Sequence, residues 1–322
     1  MPKSIIYLCP AENVPTGGIK VIYRHAEIVA KFLPHEIICN VWHPQDLNFR
    51  CTWFDHNVTF KQDSLLDPAT DFVVIPEIAV AFFAKKLFSC GIRYAIFVQN
   101  AYQIHHRDSS STDEDIEIGY RKAELILSIS DNTTQFIQMA YPFCADKIFR
   151  VYYSIDMEKF NCSSTKEKLI TYMPRKNAYH AQILLHLLRN SLPKPWKVGP
   201  IDNLSETGVA NILSKSRIFL SFSLLEGLAI PPLEASLCGN FVIGYTGEGC
   251  KEYWSEPNFS EVYSGDFLTF ARKVLDRINF IDANDSTSML NPLNDRLRII
   301  FSRENEEKHL RQVFDRITAT LR

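Results

Sequence analysis

Two glutamates stand eight positions apart on either side of a small loop in the second half of the chain: Glu226, directly before Gly227, and Glu234. Carboxylates can accept the hydroxyl groups of a sugar, much as the acidic residue of a dinucleotide site accepts those of a ribose. The apolar run at 218–222 predicts a buried strand just before this loop. An ordinary strand-to-helix turn with solvated acids would explain the same residues without a ligand.

The residues that follow predict a helix and a second strand. Pro231 and Pro232 stand where a helix tolerates proline, at its start, and Gly239 predicts its end before a strand at 241–245. This reading places Glu234 in the first turn of the helix. A helix start offers free N–H groups and a partial positive charge, which suit a phosphate. Because ligands of open α/β sheets bind at the carboxyl ends of strands, we predict a site for a phosphorylated, hydroxylated ligand here.

Strand-like and helix-like segments alternate along most of the chain, which predicts parallel sheets with helices on both faces. A chain of 322 residues suits two domains. We predict an α/β fold of two Rossmann-like, doubly wound parallel-sheet domains, over 1–156 and 157–303, with a polar link at 154–168. Strands are predicted at 4–9, 36–42, 71–75, 93–99, 125–130, 148–153, 169–173 and 196–201. Helices are predicted at 19–33, 78–88, 131–141 (capped by Asp131 or Asn132), 180–189, 209–216, 267–278 and 304–321, with a loop at 282–292.

The composition sets limits on the class of protein. It is 46% hydrophobic and 22% charged, which is ordinary for globular cores, and the net charge of -2 does not indicate a nucleic-acid partner. The 8 cysteines form no Cys-x-x-Cys pair, which argues against structural zinc and is typical of reduced thiols in the cytoplasm. The chain begins without a signal-peptide pattern and has no apolar run of about 18 residues that could span a bilayer.

The order Glu-Gly, small apolar loop, Pro-Pro-x-Glu-Ala and Cys-Gly over 226–239 resembles the nucleotide-sugar motif of family-four retaining glycosyltransferases of the GT-B fold. The resemblance implies two domains that face a cleft, and a last helix at 304–322 that packs back on the first domain. It also implies that Glu226 faces the donor sugar and Glu234 holds the ribose. The residues implied to offer backbone amides to the sugar and the diphosphate are Gly227, Leu228 and Ala229.

A basic pair follows the first strand of the second domain. The resembled family has an arginine and a lysine here, several residues apart after a glycine-containing turn, facing the donor diphosphate. In this chain Arg175 and Lys176 are adjacent, and Pro174 replaces the glycine. Fixed cations would stabilise the charge that the leaving nucleoside diphosphate gains. We expect Arg175 first, because a guanidinium can hold phosphate in a fork, but Lys176 and a merely solvated basic turn both stay open.

The resemblance implies that the first domain also contributes to the site. Gly17 and Gly18, between the first strand and the first helix, would let the backbone approach the donor closely. Asn100 and His105 follow a buried strand, in a region where many relatives keep a histidine near the hydroxyls of the donor sugar. His106 is the alternative to His105.

Two other segments suggest sites; we reject the first and keep the second open as the less simple interpretation. Asp113-Glu114-Asp115 is similar to the manganese-binding Asp-x-Asp of the other large glycosyltransferase fold, but the apolar periodic stretch after it predicts a helix start instead. The stretch 82–88, with three phenylalanines and two lysines, could touch a membrane surface. A helix with one buried face explains it more simply.

These features predict a metal-independent, retaining glycosyltransferase that moves a sugar from a nucleoside-diphosphate sugar to a glycan or lipid-linked acceptor. It would need no cofactor and would work in the cytoplasm or peripherally at the inner membrane. One alternative is a sugar-nucleotide epimerase, which would release a free 2-epimer without any acceptor. Another is a non-catalytic nucleotide-sugar-binding module, which would bind the donor without transfer. A nicotinamide dehydrogenase is disfavoured because the first turn lacks Gly-x-Gly-x-x-Gly.

Overall fold

In a computed structural model the chain divides into two compact units. The structure describes residues 4–13, 16–162, 165–284 and 288–319. The first unit comprises the described residues up to Tyr153 together with the last helix, and the second runs from Ser154 to Ser302. Both units are built on parallel sheets with helices in the connections, so the predicted α/β class is correct.

The first unit is built on one parallel sheet. Its elements are β1 (Ser4–Leu8), α1 (Gly17–Phe32), β2 (Ile38–Trp42), β3 (Thr59–Phe60), β4 (Asp71–Pro76), α2 (Lys85–Ser89), β5 (Arg93–Val98), α3 (Asp113–Lys122), β6 (Leu125–Ser128), α4 (Asp131–Ala140) and β7 (Ile148–Arg150). The described strands form a seven-stranded sheet in the order β3-β2-β1-β4-β5-β6-β7. Strands β4 and β5 are apolar along most of their length and almost wholly buried, as central strands covered on both faces must be.

Local signals account for the helices of the first unit, with two corrections. Helix α3 begins at Asp113, as predicted, behind a capping box in which Thr112 and Asp115 exchange side-chain-to-backbone hydrogen bonds. The cap of α4 was predicted wrongly: Ser130 is the N-cap, and its hydroxyl accepts the N–H of Thr133 at 3.0 Å. The predicted helix at 78–88 is instead a 3-10 turn (Glu77–Ala79), a π-helical turn (Val80–Ala84) and α2 in succession.

The second unit is built on a smaller parallel sheet. Its elements are β8 (Leu169–Tyr172), α5 (Ala178–Leu188), β9 (Lys197–Pro200), α6 (Glu206–Lys215), β10 (Ile218–Glu226), α7 (Ile230–Leu237), β11 (Phe241–Glu248), β12 (Phe259–Glu261), α8 (Phe267–Asn284) and α9 (Asn291–Ile300). The described strands form a five-stranded sheet in the order β12-β11-β10-β8-β9. The inward side chains of β10 and β11 pack with those of α5 and α8 in a single core.

Three expectations for the second unit need correction. Strand β10 does not end near Phe222: after a bulge it continues to Glu226, which pairs with Glu248 of β11. Because α7 begins at Ile230, Glu234 lies in its second turn and not its first. The predicted loop at 282–292 is largely helical, since α8 reaches Asn284 and α9 starts at Asn291, while 285–287 lie outside the described residues.

The last helix, α10 (Arg303–Ala319), packs on α1 within the first unit. Its apolar face is buried, and each such side chain contributes roughly 1.5–3 kcal/mol. The carboxylate of Glu306 reaches Arg24 at 3.3 Å and His25 at 3.5 Å. Burial lowers the pKa of His25 to about 3, so Arg24 is the charged partner of the pair. The buried apolar residues of α10 are Leu310, Val313, Phe314 and Ile317; Leu321, also predicted on this face, lies outside the described residues.

Candidate functional site

Each sheet has one place where the strand order reverses. In the second sheet the chain goes from β8 to β9 on one side and then from β10 through β12 on the other, so the reversal lies between β8 and β10. In the first sheet it lies between β1 and β4. Ligands of open α/β sheets bind outside the carboxyl ends of the strands at such points. We call the residues after β8 and β10, at 173–177 and 226–230, the second switch point. Those after β1 and β4, at 16–18 and 77, are the first switch point.

The second switch point carries an ion pair. Strand β8 leads into a 3-10 turn, Pro174–Lys176, and the ammonium of Lys176 pairs with the carboxylate of Glu226 at the end of β10. Both side chains remain about a quarter exposed. Arg175 is exposed, and its guanidinium lies 4.0 Å from the sulfur of Met173. The structure therefore brings Lys176, and not Arg175, to Glu226.

The backbone of the loop after Glu226 is hydrogen-bonded to the thiol of Cys250 and the phenol of Tyr253. The N–H of Ala229 donates to Sγ of Cys250 at 3.0 Å, and the carbonyl of Ala229 accepts the hydroxyl of Tyr253 at 3.1 Å. Burial raises the pKa of Cys250 to about 12, so its protonated thiol can also donate to that carbonyl, at 3.4 Å. Gly227 and Leu228 are buried beside it. Of the three predicted donor amides, that of Ala229 already has a partner.

The start of α7 offers fewer amides than its position suggests. Pro231 and Pro232 have no N–H, and that of Ala229 is bonded to the thiol behind the loop. Ile230 supplies the remaining N–H among the first amide positions of this helix. Glu234, half-buried in the second turn, follows on the same helix. Since amides are scarce here, the charges of Lys176 and Arg175 are the main features of the second switch point that could attract a phosphate.

The loop at Gly249 packs against the loop that follows Glu226. Sequence reasoning missed this contact. The N–H of Gly249 donates to the carbonyl of Glu226 at 3.2 Å, and a Cβ at Gly249 would overlap the carbonyl oxygen of Gly227. Glu248 has a φ of 67°, a left-handed conformation that costs a non-glycine residue energy and often marks functional sites. Its carboxylate pairs with Lys251 at 2.7 Å. The Gly-x-Gly at 247–249, where β11 ends, was the sequence signal that could have indicated this loop.

The first switch point combines glycines with a buried acid. A Cβ at Gly17 would meet nothing within 4 Å, and one at Gly18 would lie 3.5 Å from Oε1 of Gln99, so packing does not explain either glycine. Glu77 follows β4, and its carboxylate accepts the N–H groups of Gln99 at 3.1 Å and Asn100 at 2.9 Å. Burial raises the pKa of Glu77 to about 7, although the two N–H groups oppose this shift. Sequence reasoning missed Glu77 and Gln99.

The other predicted residues of the first unit lie after β5. Oδ1 of Asn100 accepts the N–H of Tyr102 at 3.0 Å and starts a 3-10 turn, Ala101–Gln103. His105 is exposed beyond this turn, while the ring of His106 packs edge-on against Phe82. The structure therefore brings Asn100 to the first switch point and leaves His105 further along the chain.

The acidic run at 113–115 is occupied by structural contacts. The carboxylate of Asp115 accepts the N–H of Thr112 at 2.9 Å and pairs with Lys85 at 2.9 Å. Within 4–13, 16–162, 165–284 and 288–319, no three His, Cys, Asp or Glu residues are grouped so that they could hold a metal ion. Across the same residues, no helix has both the length and the apolar composition needed to cross a bilayer.

Comparison with known proteins reveals likeness in structure only. No sequence profile of a known family matches the chain, and no curated protein sequence is similar enough to match it. Sucrose-phosphate synthase from Thermosynechococcus elongatus is similar in structure at a TM-score of 0.70 and 11% identity, over 99% of this chain and 100% of that one. HepE from Anabaena, solved with UDP-glucose, is similar in structure at a TM-score of 0.69 and 12% identity, over 97% of this chain and 99% of that one.

A plant protein shares the same architecture. The catalytic domain of starch synthase IV from Arabidopsis thaliana, bound to ADP and acarbose, is similar at a TM-score of 0.65 and 9% identity, over 98% of this chain and 99% of that one. Structural similarity at sequence identities this low establishes the fold and nothing beyond it. The fold is that of the GT-B glycosyltransferases, and the predicted pair of Rossmann-like parallel-sheet domains is confirmed.

Proposed function

We propose that the protein is a glycosyltransferase that uses a nucleoside-diphosphate sugar. One observation carries the proposal: Lys176 and Glu226 form a partly exposed ion pair at the second switch point, where α/β sheets bind ligands. The shared fold supports the same reading, because HepE was solved with UDP-glucose and starch synthase IV with ADP. A UDP- or ADP-sugar is accordingly the class of donor to test first.

The ion pair suits a site that exchanges partners. Solvent-exposed ion pairs contribute only about 0–1 kcal/mol to stability, and this pair is still reached by solvent, so a ligand can compete for both charges. On donor binding, Lys176 would turn to the diphosphate and Glu226 would accept hydroxyls of the sugar. The cation would then stabilise the charge that the leaving diphosphate gains in the transition state. Arg175 is one residue away and exposed, and it is the second candidate for this contact.

The remaining parts of the proposal follow from the resemblance of the motif. Glu234 would accept the ribose hydroxyls, and transfer would proceed with retention of configuration through an oxocarbenium-like transition state. The acceptor would be a glycan or a lipid-linked precursor of a polysaccharide. Catalysis would need no metal, because cationic side chains would stabilise the leaving group. Loss of activity in chelator, with recovery on adding manganese, would contradict metal independence.

A cytoplasmic site of action, with transient contact to the inner membrane surface, belongs to the same proposal. Phe82 and Phe88 are 39% and 44% exposed, and the ammonium of Lys122 lies 4.8 Å from the ring of Phe88. Apolar rings beside a cation can sit at a lipid interface. Sedimentation with anionic vesicles tests this contact, and a protein that stays in the supernatant at low salt would exclude it.

Calorimetry against UDP-glucose, ADP-glucose and GDP-mannose tests the proposed function. We expect one of them to bind, and we expect Glu234→Ala to weaken that binding about 10- to 100-fold, because hydrogen bonds to a charged group contribute roughly 1.5–3 kcal/mol. Glu206→Ala is the matched control, since Glu206 lies at the start of α6 and pairs with Lys159. Equal binding by the wild type and Glu234→Ala would show that the ribose is placed wrongly.

A further inference from the structure

Glu77 is a buried acid that the proposed reaction does not yet use. Only 4% of the residue is exposed, and it stands directly after β4 at the first switch point. Oε2 accepts the N–H of Gln99 at 3.1 Å, and Oε1 accepts that of Asn100 at 2.9 Å. Burying a carboxylate without a cation is costly, so a region selected for stability alone would carry a neutral side chain here.

The groups around Glu77 do not offset its charge. Its 3-10 turn packs against the π-helical turn 80–84, which has no titratable residue, and against β5 and the turn 101–103. Strand β5 carries Arg93 and Tyr94 at its opposite end. The turn 101–103 contributes Tyr102, whose hydroxyl donates to Asn132. Tyr120 of α3 is also near, but burial raises its pKa well above the ordinary value and keeps it neutral. Among these described neighbours, the facing groups are therefore uncharged.

The two hydrogen bonds determine where β5 ends. They fix the backbone at two successive residues, and the side chain of the first, Gln99, lies at the first switch point. The amide group of Gln99 lies against Gly18, 3.5 Å from where a Cβ would stand. The side chain of Asn100 starts the next turn through the N–H of Tyr102. Releasing either backbone bond would let these two side chains move.

We propose that Glu77 is a positioning residue for sugar transfer, whose carboxylate holds the backbone of Gln99 and Asn100 and so fixes the Gln99 side chain at the first switch point and the turn that Asn100 starts. The proposal rests on the proposed function, because Asn100 is among the residues expected to contact the donor sugar. The ionised carboxylate accepts both N–H groups through charged oxygens, whereas the protonated form offers one of them a weaker hydroxyl oxygen. A pKa of about 7 makes this arrangement sensitive to pH near neutrality.

Glu77→Gln tests the proposal because it keeps the shape of the side chain but turns an NH₂ group towards one of the two amides. Hydrogen exchange at the amides of Gln99 and Asn100 is the first measurement, and it needs no ligand. We expect exchange about tenfold faster in the variant. In the wild type we expect protection, corrected for the intrinsic rate, to increase from about pH 6 to about pH 8. Unchanged protection at both amides would overturn the proposal.

Turnover and binding are the second measurement, with UDP and the three nucleotide sugars named above as probes. We expect Glu77→Gln to bind UDP within about twofold of the wild type. With water as the acceptor of the sugar, we expect it to hydrolyse the bound sugar nucleotide to free sugar and nucleoside diphosphate about tenfold more slowly at pH 8. The rate of the wild type should rise through neutral pH, while that of the variant should be flat. Equal rates and equal pH profiles would overturn the positioning role.

Glu124→Gln is the matched control. Glu124 pairs with Arg93, at the end of β5 that lies away from the first switch point. The change therefore removes a carboxylate from the same sheet but leaves the first switch point intact. It should change stability without changing either amide or the pH profile. If both variants slow turnover equally at every pH, Glu77 has only a structural role. If the wild type binds none of the probes, the proposed function fails, whereas the exchange measurement still decides whether Glu77 anchors the loop.

Discussion

The two switch points occupy equivalent places in their sheets and carry different chemistry. At the second, the charges of Lys176 and Glu226 face each other and remain about a quarter exposed. At the first, the single acid Glu77 is buried, and backbone amides satisfy both of its oxygens. A partly exposed pair can exchange partners with a ligand, whereas a buried acid bonded to backbone can only hold its own chain in place. The difference suggests binding at the second switch point and positioning at the first.

The helices that start at the two switch points differ in how many free backbone amides their first turns can offer. Helix α1 begins with Gly17 and Gly18, which keep their amides and leave open space above Gly17. Helix α7 has Pro231 and Pro232 in its first turn and lacks two amides there. A site that binds phosphate needs positive charge from some source. At the second switch point we propose that Lys176 provides it, with the exposed Arg175 as the second candidate.

The largest expected effect follows from this proposed role of Lys176. We expect Lys176→Met to slow sugar transfer about 10²- to 10³-fold, the usual loss when a group that stabilises developing negative charge is removed. Steady-state kinetics with the donor found by calorimetry will measure it. Lys215→Met is the control, since Lys215 is an exposed lysine at the end of α6. A fall of less than about threefold in Lys176→Met would shift the role to Arg175.

The buried acid of the first switch point predicts a dependence of stability on pH. The pKa of Glu77 rises from 4.5 to about 7 on folding, so the folded chain binds more protons than the unfolded chain between these values. Stability therefore falls as pH rises through this range, by on the order of 3 kcal/mol from this group. Urea unfolding at several pH values should show that the free energy of unfolding of Glu77→Gln increases relative to that of the wild type as pH rises. A constant difference between the two proteins would contradict the burial of this charge.

A smaller effect is expected where two loops touch at the second switch point. A Cβ at Gly249 would overlap the carbonyl of Gly227, so we expect Gly249→Ala to shift both loops and to lower the free energy of unfolding by about 1–3 kcal/mol. Donor binding should weaken with it. Gly199→Ala is the control, because its Cβ would meet Leu169 at an ordinary 3.5 Å. Equal stability of the two variants would show that the loops are less closely packed than described.

The order of strands and helices could be predicted from the sequence because apolar runs and 3.6-residue periods are local signals. Positions that depend on pairing with distant residues could not. Strand β10 extends to Glu226 because its end pairs with Glu248, and nothing near Phe222 indicates this. The short edge strand β12 was not predicted. Helix α9 was not predicted either, because it begins at the end of a polar stretch that predicts a loop.

The site could be predicted in part for a similar reason. Glu226 belongs to a motif over 226–239, and the basic residues were indicated by their place after β8, although their spacing departs from that of the resembled family. The choice of Lys176 over Arg175 as the partner of Glu226 depends on the direction of a 3-10 turn. Glu77 could not be predicted, because a lone glutamate after a strand is ordinary until its burial and its two amide partners are known.

The most direct measurement compares a nucleotide sugar with its nucleoside diphosphate in wild type and Glu226→Gln. If Glu226 holds the sugar while Lys176 holds the phosphates, the variant should bind the nucleotide sugar about tenfold more weakly. It should bind the diphosphate as tightly as the wild type or more tightly, because Lys176 loses its competing partner. If the variant binds both ligands as the wild type does, or loses both equally, Glu226 does not face the sugar and the account of the second switch point is wrong.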